Sequence, residues 1–167
     1  EIIKSYSIKE SKTLYSDYSA LRFMLEFNEN LNLDLHDEAS KYWHKELMFW
    51  KDLTGKEKCI QNGFRGGVPN FNFVHDPNAF TIDDKVSHAG LFGTVTGVCE
   101  TMLTLESKFN LTNKMSEKLN TSTNRFENGW DKVEDSNNTL AGIGCSDRTF
   151  GHLGFTGTSI WVDSMKK

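Results

Sequence analysis

Proline is almost missing: only Pro69 and Pro77 occur in 167 residues, so no proline-rich linker or low-complexity stretch is present. Cysteine is nearly as scarce. Cys59, Cys99 and Cys145 lie 40 and 46 residues apart, which fits neither a C-x-x-C metal clip nor a dense disulfide scaffold. Their odd number leaves at least one thiol free unless a partner chain supplies another, and three buried, inert thiols are the expectation. No apolar run is long enough for a membrane-spanning helix. An excess of basic charge is also lacking: 19 Lys and Arg stand against 23 Asp and Glu, a formal charge of −4. Without clustered cations the chain has no means to grip a phosphate backbone, so nucleic acid is excluded as a general partner. The five histidines show no H-E-x-x-H or H-x-H spacing, and no metal site or cofactor is expected. Gly63-Phe64-Arg65-Gly66-Gly67 lacks the G-K-[ST] of a phosphate loop.

What is present fits a globular protein, with 37% hydrophobic and 25% charged residues. A chain of this length buries roughly 70% of its unfolded surface, enough for one domain with a real core. Glycines gather at 63–67, 90–97 and 142–157, which marks turns and close backbone approaches. Ser16 or Asp17 caps a predicted helix through about Asn28, and apolar spacing predicts a second from Asp37 to Leu53. Thr94 caps a third with Val95, Val98, Met102 and Leu105 turned inward, and a fourth runs from Thr112 to Leu119 with Met115 and Leu119 on one face. Strands are expected at 126–133 and 158–163, with loops at 120–124 and 134–138. Helices first and strands last read as α+β.

The sharpest segment runs from Phe150 to Asp163, Phe-Gly-His-Leu-Gly-Phe-Thr-Gly-Thr-Ser-Ile-Trp-Val-Asp. By composition alone it is a tight hairpin that brings an imidazole and bare backbone N–H groups together. Its order resembles the G-H-T-G-F-T-G-T-S-[IL]-W-[IV]-D run of serine hydrolases related to penicillin-binding proteins, class C β-lactamases and their esterase relatives. Val74-His75-Asp76-Pro77-Asn78-Ala79-Phe80 resembles the V-H-D-x-N-A-[FWY] stretch of that family, and Ser87 to Thr94 resembles its G-H-A-G-L-F-S-T. Tyr15-Ser16-Asp17 is similar to its Y-S-[ND] element. The segments stand in the family's order across about 150 residues.

The resemblance implies a β-lactamase/transpeptidase-like α+β fold, residues 1–167 being part of a single serine-hydrolase domain. It implies acyl transfer to an ester or amide: a small molecule, a β-lactam or a D-Ala peptide of peptidoglycan type. Tyr15 would be the relay base beside an acylated serine, a role that requires a neighbouring cation to favour the phenolate. Asp17 and His152 would be polar groups of the site, with Asp17 equally able to cap the helix that follows. Gly154 and Phe155 would line the oxyanion hole, the Phe155 N–H being one donor. His75 and His88 read as structural. Leu153 stands where the family has Thr, which removes one hydroxyl.

The nucleophile motif S-x-x-K has one match, Ser164-Met165-Lys166-Lys167, which follows every other motif and reads as chance. The chain is therefore expected to be an internal to C-terminal portion of such a domain, with the remainder of that domain as its partner. A non-catalytic relative that binds cell-wall peptide or protein is the alternative, and an unrelated α+β domain a third. The sequence leaves localisation open, although the resemblance favours a periplasmic or extracytoplasmic site.

Overall fold

The computed structural model describes residues 2–9, 14–133 and 139–166; the loop expected at 134–138 lies outside them. Among these residues the chain is a mixed α+β protein of six α-helices and small antiparallel sheets. It divides into two compact units, Glu1–Glu10 with Tyr15–Thr104, and Ser11–Leu14 with Leu105–Lys167.

In the first unit α1 (Ile2–Ser5) precedes α2 (Asp17–Leu31). Extended Ser16 caps α2, its Oγ accepting the Tyr18 N–H at 3.2 Å, and the helix ends at left-handed Asn32, φ 50°. Asp34 caps α3 (Leu35–Ser40) by accepting the His36 and Asp37 N–H groups. The helix expected from Asp37 to Leu53 does not form. After Ser40 the chain turns and enters β1 (Leu47–Phe49), then a 3-10 turn at Trp50–Asp52. Trp43, Leu47 and Trp50 do recur at helical spacing, but β1 pairs antiparallel with β4 (Leu91–Gly93), Leu47 opposite Gly93. Two absent side chains admit that pairing: a Cβ would lie 3.0 Å from Leu47 Cδ1 at Gly93 and 2.7 Å from it at Gly97. Distant partners thus override the local period, as is common for short strands. At Gly90, φ +102°, a Cβ would stand 2.6 Å from Trp50 Cδ1, so glycine lets the Gly90 carbonyl accept the Trp50 N–H at 2.8 Å.

Between these strands lies a hairpin of β2 (Phe64–Arg65) and β3 (Val68–Pro69), turned by Gly66 and Gly67 at φ +58° and +79°. The positive φ at both turn residues gives the twist that matches paired strands. Helix α4 (Pro77–Ile82) follows, capped by Asp76, whose Oδ1 accepts the Ala79 N–H at 2.8 Å. Leu21, Phe49, Trp50, Val74, Ala79 and Val86 form the core of this unit.

Helix α5 (Val95–Phe109) begins as expected, with Thr94 Oγ1 accepting the Gly97 N–H at 2.9 Å. Val95, expected inward, is 83% exposed. Gly97 and Thr101 are the buried positions of α5, and Thr101 Oγ1 accepts the His44 N–H at 2.9 Å. A helix that presents that pair inward turns Val95 out. Cys99 is exposed on the same helix, unlike the expected buried thiol, while Cys59 and Cys145 are half-buried; all three are unpaired.

In the second unit α6 (Leu111–Thr121) buries Met115 and Leu119, as their spacing predicts. The expected strand at 126–133 is a hairpin of β5 (Phe126–Glu127) and β6 (Trp130–Lys132). Asn128 and Gly129, at φ 50° and 83°, make its two-residue turn. With β7 (Thr149–Leu153) and β8 (Ser159–Asp163) they form one antiparallel sheet in the order β5-β6-β7-β8. Phe150, fully buried, packs against Met115 and Leu119 of α6 and edge-on to Trp130 at 5.2 Å between ring centres.

Candidate functional site

Three of the motif segments meet within the first unit. Asp17 opens α2, Asp76 and Asn78 stand at the head of α4, and His88 lies in the loop that leads into β4. The Asn78 side-chain amide donates to Asp17 Oδ2 at 3.0 Å. His88 Nε2 lies 3.0 Å from Asp76 Oδ1 and 3.9 Å from Asp17 Oδ2. Its side chain is 6% exposed, against 36% for Asp17 and 27% for Asp76. The imidazole is therefore enclosed with its Nε2 edge turned to two carboxylates, and its Nδ1 is buried without a hydrogen-bond partner. Next to it, the Ser87 hydroxyl donates to the Ala20 carbonyl at 2.6 Å and ties the same loop to α2.

Partial burial pushes the Asp76 carboxyl upward. The Ala79 N–H, the hydrogen bond and charge of His88 and the Asn78 N–H outweigh that, and the net value lies below the ordinary one. Folded Asp76 thus holds its charge where the unfolded chain, with a carboxyl near ~3.9, takes up a proton. Its contribution to stability is fully present above the unfolded value and is lost as pH falls through the folded one. Urea unfolding between pH 2 and 6 is expected to show this acid loss, and Asp76→Asn to flatten it. An unchanged acid limb in that variant would remove Asp76 from the account.

The Asp17, Asp76 and His88 ligand atoms lie within 4.8 Å of one another, a spacing a metal ion could bridge. Each carboxylate already accepts a hydrogen bond from within the protein, however, from Asn78 and from Ala79. The arrangement works as a clamp: an aspartate–imidazole pair joins the start of one helix to the cap of another. Tyr15, two residues before Asp17, is exposed at 66% ahead of the Ser16 cap.

The second unit carries the other sequence-predicted residues on one hairpin. His152 faces Ile160 across the β7–β8 pair, two residues beyond the buried Phe150 and on its face of the sheet. Its Nδ1 is 2.7 Å from the Leu153 carbonyl oxygen, and its ring lies 6.3 Å from that of Phe126. The connection is the five residues 154–158, closed by the Gly154 N–H, which donates to the Thr158 carbonyl at 2.7 Å, and by the Gly157 N–H, which donates to the Gly154 carbonyl at 3.0 Å. A Cβ at Gly154 would stand 2.2 Å from Thr158 Oγ1, so a larger residue there requires the Thr158 side chain to turn. Phe155 sits in the loop with its side chain 92% exposed. At the far end of β8, Asp163 accepts from the Ser146 hydroxyl at 2.6 Å and the Ser146 N–H at 2.9 Å. Ser164 lies in the turn after β8 rather than at a helix head, and Lys167 is outside the described residues.

No family model, curated protein or solved structure matches the chain. Among the described residues no helix is long and apolar enough to cross a membrane.

The clamp was partly legible. The sequence marks Asp17 as a site residue, while it reads His88 as structural and Asp76 and Asn78 only as members of a motif. A signal for Asp76 was present: an Asp before Pro at a helix start supplies both the cap and the preset first turn.

Proposed function

We propose that this chain carries part of a serine hydrolase of the β-lactamase and penicillin-binding-protein-like group. The observation that supports the reading is the convergence of Asp17, Asp76, Asn78 and His88, which come from three separate motif segments. In this reading the clamp fixes the head of α2 and so the place of Tyr15. The serine oxygen would bond to the substrate carbonyl carbon as its proton passes to the Tyr15 oxygen, a step that requires Tyr15 as a phenolate held by a neighbouring cation; serine and cation would both be supplied from outside this chain. The proton moves on to the leaving nitrogen or oxygen as that bond breaks, and water reverses the sequence to release the acid. His152 would meet the substrate's polar end and the Phe155 N–H would steady the oxyanion, with Gly154, whose own N–H is held by the Thr158 carbonyl, lining the hole. The substrate class is an ester or amide, with a D-Ala peptide or a β-lactam among its members.

The second reading is a non-catalytic module that binds cell-wall peptide or a protein partner. It is favoured by Asp17, whose Oδ2 accepts from Asn78, and by the lack of a helix-borne S-x-x-K.

Labelling separates the two. The polypeptide as its cells make it, captured with an antibody to this chain, is treated with a fluorophosphonate and with a fluorescent penicillin. A covalent adduct is expected with at least one probe, reduced about 100-fold or more in rate by Tyr15→Phe. No adduct with either probe on folded protein would sink the enzyme reading.

A further inference from the structure

In an Asn-Gly pair the side-chain amide can reach the next backbone nitrogen, because glycine presents no Cβ to hinder the approach. The chain has two such pairs, Asn62-Gly63 and Asn128-Gly129. Their surroundings are opposite. The half-buried Asn62 side chain is held at both ends: its amide donates to the Phe73 carbonyl at 2.9 Å, and its Oδ1 accepts from the Asn70 amide at 2.7 Å. The Asn62 N–H donates to the Asn70 carbonyl at 3.0 Å, and the Asn70 N–H to the Gly63 carbonyl at 2.8 Å. The His75 ring covers Gly63, where a Cβ would stand 2.6 Å from His75 Cδ2. Asn128 and Gly129 are instead exposed in the turn between β5 and β6, and a Cβ at Gly129 would meet nothing within 4 Å. Neither Asn128 Nδ2 nor the Gly129 N–H has a hydrogen-bond partner among the described residues. Lys118 of α6 donates to Asn128 Oδ1 at 3.1 Å.

We propose that Asn128 is a self-modification site, converted without an enzyme to aspartate and isoaspartate with the assistance of Lys118. The Gly129 backbone nitrogen gives its proton to hydroxide, and its electron pair forms a bond to Asn128 Cγ. The carbonyl pair moves onto Oδ1 as a transient oxyanion beside the Lys118 ammonium. As that pair returns, the Cγ–Nδ2 bond breaks and Nδ2 leaves as ammonia with a proton from water, closing a five-membered succinimide. Water then adds to either ring carbonyl, and the bond from that carbon to the Gly129 nitrogen breaks, the nitrogen taking the proton. Opening at Cγ leaves aspartate; opening at the backbone carbonyl routes the chain through the side chain as isoaspartate. One water is consumed and one ammonia released, with no oxidant or reductant. Aspartate puts a carboxylate where Lys118 already donates, whereas isoaspartate adds a backbone atom to a two-residue turn. That turn sets Glu127 opposite Trp130, whose ring packs edge-on to the buried Phe150, so the isoaspartate form loosens the β5–β6 hairpin. None of these residues belongs to the proposed acyl-transfer site.

The test is incubation of the full polypeptide, folded and in urea, at mildly alkaline pH. Peptide mapping by mass spectrometry follows both asparagines, and methylation by an isoaspartyl methyltransferase detects isoaspartate. In the folded protein Asn128 is expected to convert at least about tenfold faster than Asn62, because Asn62 must first lose two hydrogen bonds. In urea that difference is expected to vanish. Lys118→Gln is expected to slow conversion at Asn128 about threefold and Lys118→Arg to restore it, with circular dichroism matched to the parent as the check on each fold. Folded Asn62 reacting as fast as Asn128 overturns the proposal, as does an Asn128 that stays intact when folded but converts in urea. An unchanged rate in Lys118→Gln overturns the assignment of Lys118.

Discussion

Gly151→Ala is expected to unfold the β7–β8 half of the second unit, at a cost of about 3 kcal/mol or more. A Cβ at this position would stand 2.1 Å from the Ile160 carbonyl oxygen and 2.4 Å from Trp161 Cε3. The oxygen belongs to the backbone of the paired strand, so no rotamer change relieves the clash; the strands must separate. Gly151 is also paired on its other side with Asp131 of β6, which leaves no free edge to move toward. Asp131 is only 3% exposed and receives both Arg125 hydrogen bonds at 2.8 Å, so displacing it breaks a paired buried charge. Near-ultraviolet circular dichroism and urea unfolding, followed through Trp130 and Trp161, give the measurement. Gly157→Ala is the control: φ is +87° but nothing lies within 4 Å of its added Cβ, and only conformational strain of roughly 1–2 kcal/mol is expected. A Gly151→Ala protein within ~0.5 kcal/mol of the parent would show that β7 and β8 do not pair in this register.

Asp76→Ala should destabilise the first unit by about 2–4 kcal/mol, through two losses that add at one atom. Asp76 Oδ1 accepts the Ala79 N–H and faces His88 Nε2 at 3.0 Å. Removing the cap costs about 1 kcal/mol. Leaving an enclosed imidazole without its partner costs about 1–3 kcal/mol more. Asp76→Asn keeps an oxygen for the cap and loses only the charge, so about 1 kcal/mol is expected there. Hydrogen exchange adds a local readout: in Asp76→Ala, protection should fall at the start of α2 as well as in α4, because Asp17 and His88 share the network. Exchange that changes only in α4 would mean that Asp76 is a helix cap and no more.

Both variants probe parts of the proposed site without needing a substrate. Gly151 supports the hairpin that carries His152, Gly154 and Phe155. Asp76 supports the helix that follows Tyr15. Loss of stability in either, together with absent labelling, would separate the clamp and hairpin as structural facts from the hydrolase reading built on them.

Where local chemistry decides the structure, the sequence was sufficient. The start of α2 at Ser16, the start of α5 at Thr94, the buried Met115 and Leu119 of α6 and the strand ending at Asp163 are each set by a cap or by a period within a few residues. The order of residues also marks Asp17, His152, Gly154 and Phe155 as candidates for the proposed site. What the sequence left open depends on groups far apart in the chain. Trp43, Leu47 and Trp50 carry a helical period, yet β1 forms because Gly93 and Gly97, some fifty residues later, leave room for Leu47. Val95 looks inward by spacing and is exposed because Thr101 turns to the His44 N–H instead. The clamp is the clearest case. Asp17, Asp76 and His88 are ordinary as single residues, a cap neighbour, a cap and a loop histidine, and no local signal states that they meet. Their grouping exists only once core packing has brought α2, α4 and the 87–90 loop together, because burial and charge pairing are properties of neighbours in space rather than in sequence.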